Sequence, residues 1–204
     1  AHGRYVDAGP EAIESQLTGR EALRTHLLSV VASGFAGSKR GVLDLLDATF
    51  FAHQSPDVDL SGLVETVAAE VSGMGLLTVG DPAGDVDGDG GTPDDTLSAT
   101  DLGATVSQQY VRPETGTRLV DAIREVGRMD DADVTSLTAL GAVCATPDAR
   151  GTYLGNRERA AIYRYATQHA GEFTTAPDEA DDFESWLWAV KLARILLEWA
   201  DGAD

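Results

Sequence analysis

The residues best equipped for chemistry are a four-residue acidic motif, an aspartate-rich loop and three groups of basic residues. Asp178-Glu179-Ala180-Asp181 spells a motif that nucleotide-hydrolysing motors use at the end of a buried strand, beside a phosphate-cradling loop. No G-x-x-x-x-G-K-[ST] occurs in the chain, and Phe173 to Pro177 (FTTAP) does not read as a buried strand. The acids suit a helix N-terminus, where the helix dipole favours negative charge, so no ATPase role and no catalytic residue is expected. Asp85 to Gly90 (DVDGDG) imitates the first half of an EF-hand loop. Thr96 stands where a bidentate carboxylate is needed and Pro93 interrupts the loop, so an acidic tip is expected rather than a calcium site. His2, His26, His53 and His169 show no helical pairing, and Cys144 is the only cysteine. No metal site is therefore expected. His26 reads as a helix-packing residue and Cys144 as a small buried hydrophobe.

The basic groups are Arg20, Arg24, Lys39 and Arg40; then Arg112, Arg118, Arg124 and Arg128; then Arg157, Arg159 and Arg164. Solvated faces and ion pairs with the abundant acids account for much of this. The second group has the best case for nucleic-acid binding, because it opens a helix where backbone N–H groups and guanidiniums can hold a phosphate. Arg112, Arg118, Arg124 and Arg128 are the candidate nucleic-acid-binding residues. Positions 41 to 111, by contrast, contain no Lys or Arg. Reading phosphates or guanine edges without them is very unfavourable, so this stretch is expected to face protein rather than a duplex groove.

The chain has 204 residues, 15 basic and 34 acidic, for a net charge of −19. Lys39 and Lys191 are its only lysines. No apolar run approaches the roughly 18 to 20 residues of a membrane span, and no basic-then-apolar signal opens the chain. A lone cysteine excludes an intrachain disulfide and is in keeping with a reducing cytoplasm. The aspartate-rich, lysine-poor balance resembles that of proteins from salt-loving archaea. In about 1 M salt the Debye length is about 3 Å, and such self-repulsion is largely screened.

Elements that must position these groups follow from caps, breakers and periodicity. Arg20 to Ser33 predicts a helix with Ala22, Leu23, Leu27, Val30 and Val31 inward, ended by Gly34. Ser38 caps a second helix through Thr49, and Leu60 to Met74 predicts a third with Leu63, Val67 and Val71 inward. Leu76 to Val79 and Thr96 to Ala99 are strand candidates around a Gly/Asp-rich loop. Three helices followed by a two-stranded ribbon is the order of a winged helix. Helices are expected near 100–110, 114–127, 134–145, 157–170 and 179–200, a helical bundle. Thr100 and Asp101 cap the first, with Leu102, Val106 and Tyr110 as its apolar stripe; Pro113 opens the second, with Leu119, Ile123 and Val126 inward. On the last, Trp186, Val190, Ala193 and Leu197 form one apolar stripe and Trp188, Leu192, Ile195 and Trp199 another. The tryptophans fit core packing better than base stacking, and a helix so apolar expects neighbours on several sides, including helices beyond Asp204.

Ala99 to Thr115 (ATDLGATVSQQYVRPET) contains the pattern T-x-L-G-x-x-x-S-x-x-Y-x-x-P-x-T. It resembles the junction after the winged helix in archaeal Ski-two-type DNA helicases of superfamily two, relatives of the helicase part of polymerase theta. Ile13 to Leu17 (IESQL) with Leu23 to Phe35 resembles the exit from that family's second motor domain. Leu140 to Asp148 (LGAVCATPD) resembles its helix ending in a Thr-Pro-Asp turn, and Trp186 to Trp199 (WLWAVKLARILLEW) resembles a later bundle helix. Arg112 departs from the pattern, standing where an acid is expected, as does the acidic insertion of Gly80 to Asp95.

The resemblance implies a mainly α chain: residues 1–19 a linker from an upstream motor domain, 20–99 a winged helix with a short two-stranded wing, and 100–204 the first part of a ratchet-type helical bundle. It implies a parent that unwinds DNA three-prime to five-prime with ATP and magnesium held in its motor domains, and no cofactor in this stretch. Its partners would be single-stranded or forked DNA through the parent, and the motor domains of the same polypeptide, without a membrane. A free-standing winged-helix DNA-binding regulator and an acidic protein-interaction module are the alternatives.

Overall fold

The structure, a computed structural model, describes residues 13–80, 95–149, 153–177, 180 and 182–202. Most of the linker expected over 1–19 lies outside the described residues. So do residues 81–94, with the EF-like Asp85 to Gly90, and Asp178, Glu179 and Asp181 of the acidic motif. The fold is mainly helical with one two-stranded antiparallel sheet, consistent with a winged helix plus a helical bundle. The chain divides into two compact units, Ala1–Ser107 and Gln108–Asp204.

In the first unit, α1 (Arg20–Ala32) buries Leu23, Leu27, Leu28 and Val31. It stops at Gly34, whose φ of +76° suits a residue without a Cβ. The Ser38 hydroxyl caps α2 (Lys39–Asp47), accepting from the Gly41 N–H at 3.1 Å. The single helix expected through Thr49 is two. Thr49 Oγ1 donates to the Leu46 carbonyl at 2.6 Å and accepts from Ala52 N, closing α2 and capping the short α3 (Phe50–Gln54). A threonine that bonds backbone on both sides competes with the helix it interrupts. Asp59 caps α4 (Leu60–Gly73), which buries Val64, Val67, Ala68 and Val71.

Strand β1 (Leu77–Val79) pairs antiparallel with β2 (Leu97–Ala99), Leu77 opposite Ala99 and Val79 opposite Leu97. The ribbon is tied to the corner between α1 and α2 by the Leu97 N–H, which donates to the Gly37 carbonyl at 2.9 Å. α5 (Asp101–Gln108) follows at once. Thr100 Oγ1 accepts from the Gly103 N–H at 3.0 Å and donates to the Gly75 carbonyl at 2.8 Å, so one hydroxyl caps α5 and fastens it to the end of α4. Compactness places the boundary after Ser107 rather than after Ala99, because α5 lies against this backbone. Tyr110 leaves its expected stripe: α5 ends at Gln108, and Tyr110 is 96% exposed with φ of +56°.

In the second unit Pro113 opens α6 (Pro113–Val126), which buries Pro113, Thr115, Gly116 and Ala122. The expected inward Ile123 is exposed; the small residues let this helix approach its neighbours instead. Thr135 caps α7 (Ser136–Cys144) and donates to Glu172 Oε2 at 2.5 Å. A 3-10 turn over Pro147–Ala149 leads to α8 (Asn156–Gln168), and Asp182 caps α9 (Phe183–Ala200). α9 lies at the centre of this unit. Ala189 and Ala193 pack with Leu137 and Cys144 of α7, while Leu187 and Val190 pack with Leu154 and with Ile162 and Ala166 of α8. The first expected stripe of α9 faces this core, and Trp186 donates from its indole N–H to the Thr175 carbonyl at 3.1 Å. The second stripe is divided: Leu192 packs against the α7 side of the core, while Trp188, Ile195 and Trp199 are exposed.

Candidate nucleic-acid interface

Arginine separates into structural and available forms according to whether a carboxylate satisfies its fork of donors. Arg112, just before α6, is committed. Its Nε is ion-paired with Asp148 Oδ1, its backbone N–H donates to Asp148 Oδ2 at 3.2 Å, and Nη2 donates to the Pro147 carbonyl at 2.7 Å. These bonds clamp the start of α6 to the Thr146-Pro147-Asp148 turn. Burial pushes the Asp148 carboxyl up, but the Thr115 hydroxyl beside it and the Arg112 guanidinium outweigh that, holding its pKa below the ordinary 3.8. The two halves of this clamp, P-x-T and T-P-D, both stand in the sequence patterns, and only the fold pairs them.

A depressed folded-state pKa means that the unfolded chain binds the proton more tightly, so stability is present above 3.8 and is lost as pH falls through the folded value. Asp148→Asn is expected to destabilise the fold near neutral pH, by about 1 kcal/mol or less because the pair is partly exposed. That gap should close below pH 3.8, which thermal melts across acid pH would check.

The other three expected residues fare differently. Arg124 is exposed and bonds Asp121 at 3.0 Å. Arg118 has no ion pair among the described residues, yet it shares a small cleft with Asp121 and Glu125. Arg128 is exposed and unpaired among the described residues, shortly before Asp130, Asp131 and Asp133 in sequence. The structure thus does not gather the four into one basic face.

Elsewhere, Arg20 and Arg24 of α1 both pair with Glu70 of α4, Arg24 at 2.9 Å. The hydrogen bond from Arg24 is the main cause of Glu70's lowered pKa. The outward face of α4 carries Ser61, Glu65, Thr66 and Ala69 and no cation of its own, although Lys39 and Arg40 of α2 line a cleft with Ser61 and Glu65. His26 is exposed and borders an apolar cleft of about 140 Å³ with Leu23, Val42 and Leu46. Cys144 is buried, which pushes its thiol pKa up. Among the described residues no group of three or more His, Cys, Asp or Glu could hold a metal ion, and no helix is long and apolar enough to cross a membrane.

Residues 137–204 match the family model described as archaeal helicase, domain 4. The chain is 32% identical over 199 residues to ATP-dependent DNA helicase Hel308 of Methanocella arvoryzae, covering 96% of this chain and 25% of that protein. The archaeal Ski-two-type DNA helicase family is where this chain belongs. Helicases of the same name from Caldivirga maquilingensis and Pyrococcus horikoshii are each 24% identical, over 98% and 96% of this chain. The chain spans about a quarter of the length of these helicases, and its second unit contains the domain 4 match. The family pattern now has physical causes. Thr100 is a cap, Gly103 a point of close backbone approach, Pro113 the first residue of α6, and Thr115 is buried beside the Asp148 clamp.

Proposed function

We propose that this chain is the non-catalytic accessory region of an ATP-dependent DNA helicase, linking the motor domains of its polypeptide to a DNA-contacting helical bundle. The alignment with a DNA helicase along nearly the whole chain carries this reading. The parent would unwind single-strand-tailed or forked DNA three-prime to five-prime during repair or fork restart, in the cytoplasm of a salt-adapted archaeon. ATP and magnesium would be held by the motor domains. The absence of a phosphate-binding loop here supports that division. That α4 itself contributes no cation to its outward face supports a protein-facing winged helix in place of a duplex reader. Within the candidate group, Arg118 and Arg128 are the members available to a phosphate, while Arg112 and Arg124 serve the fold.

An oligonucleotide titration by fluorescence anisotropy, with single-stranded, forked and duplex DNA across a range of salt, tests this. Binding to tailed or single-stranded DNA that weakens with salt is expected, with no ATP turnover by the chain alone. Tight duplex-specific binding, or ATP hydrolysis by this chain, overturns the reading.

A further inference from the structure

We infer that the exposed face of α8 is a contact for the backbone of single-stranded nucleic acid, with Arg157 and Arg164 as its phosphate ligands. The inference rests on the helicase reading and deepens it, moving the main contact away from the Arg112 group. Arg157, Ala161, Arg164 and Gln168 follow one another at i, i+4, i+7 and i+11, so they share one side of the helix, and all four are exposed. The two arginines are seven residues apart, about 10 Å along the axis. Only the small Ala161 lies between them in that row, leaving room for a polynucleotide backbone to approach.

Charge decides which arginines can act. In a chain with 34 acidic residues, the row contains none. Two acids that bear on α8 among the described residues are already occupied. Glu158 takes the Lys191 ammonium at 2.9 Å, and the hydrogen bond from Lys191 is the main cause of its lowered pKa. Glu184 is ion-paired with Arg159. Arg157 and Arg164 have no ion pair among the described residues, so their donors face water. Exchanging that water and the phosphate's counterions for a guanidinium–phosphate contact is the source of salt-sensitive affinity. At the N-terminal end of α8, Tyr153 is 83% exposed, and its carbonyl is held by Lys191 Nζ at 2.5 Å. The anchored backbone presents the phenol ring as a stacking platform for a base. Every base offers a π-face, so the contact tolerates any sequence.

The test uses the whole chain with a labelled single-stranded oligonucleotide, titrated across salt. Arg157→Gln and Arg164→Gln should each weaken binding about fivefold to tenfold at low salt. Each should also reduce the slope of log K on log salt by about 0.7, and the double variant by about 1.4. Tyr153→Ala should weaken single-strand binding about tenfold while leaving that slope unchanged. The exposed variants should melt like the parent chain. Ala161→Glu, which puts an acid between the two guanidiniums, should abolish the contact without removing either. Wild-type binding that is unchanged by all these substitutions but weakened by Arg118→Gln and Arg128→Gln would overturn the α8 site and leave the helicase reading standing. No binding of the wild-type chain to single-stranded or forked DNA would overturn both. Equal losses against poly-glutamate and oligonucleotide would show a general anion patch, and would overturn the nucleic-acid assignment.

Discussion

Gly103→Ala is expected to destabilise the first unit by about 3 kcal/mol, near the upper end of what overpacking in a closely packed site costs. A Cβ built on Gly103 would stand 1.9 Å from the Leu76 carbonyl oxygen and 2.9 Å from its carbon. Neither is the end of a flexible side chain, so α5 would have to move off the backbone that leads into β1. The move would strain the Thr100 hydroxyl, which bonds Gly103 on one side and Gly75 on the other. Helix propensity alone predicts the opposite sign, since Ala is favoured over Gly by about 1 kcal/mol in a helix interior. Gly73→Ala is the control: it is the last residue of α4, and a Cβ there meets nothing within 4 Å. Gly73→Ala should be neutral or mildly stabilising. Denaturant or thermal melts of the two variants check the contrast, and a stable Gly103→Ala chain would sink this account of the Leu-Gly in the family pattern.

Leu187→Ala should cost about 3 kcal/mol, whereas Trp199→Ala on the same helix should change stability by about 0.5 kcal/mol or less. Leu187 is 1% exposed and packs with Leu154, Ile162, Ala166 and Val190. Its truncation leaves a cavity that α8 and α9 can only partly close. Trp199 is the larger side chain but is 76% exposed, so its removal takes little area out of contact. Tryptophan fluorescence and circular dichroism melts of the two variants decide the point. A large loss with Trp199→Ala would mean that its ring is covered in solution.

That pair also marks how far periodicity can be read. Both apolar stripes of α9 are evident at helical spacing, and the stripe of Trp186, Val190 and Ala193 does face the core. Leu187, between the stripes, is 1% exposed, and of the second stripe Trp188, Ile195 and Trp199 are exposed on a helix whose spacing predicts neighbours on several sides. Spacing says which residues share a face; it does not say which face meets a neighbour. The same gap appears at Ile123, which holds a correct helical position on α6 yet is exposed beside a buried face of Thr115, Gly116 and Ala122. At Tyr110 the failure is local, because the chain leaves α5 at Gln108 before the expected stripe is complete.

The candidate contacts were harder to read than the helices. Four arginines at and after one helix start have the sequence placement of a phosphate site, and they are one of three basic groups in the chain. The Arg124–Asp121 pair can be read from its i, i+3 spacing, but nothing in the spacing tells that Arg112 is occupied, because its acid comes from another element. Arg112 is met by Asp148, 36 residues on, and Glu158 by Lys191, 33 residues on.

Caps, breakers and close-range periodicity act over one or two helical turns, and residues such as Ser38, Thr100 and Pro113 are therefore enough to place most helices and the ribbon. The missing cations of positions 41 to 111 likewise needed no coordinates. Pairing of charge across the fold is a property of side chains that meet only when helices pack. In a chain this acidic, that pairing decides which arginines remain for a partner: it binds Arg112 to the Thr-Pro-Asp turn and leaves Arg157 and Arg164 facing solvent on α8.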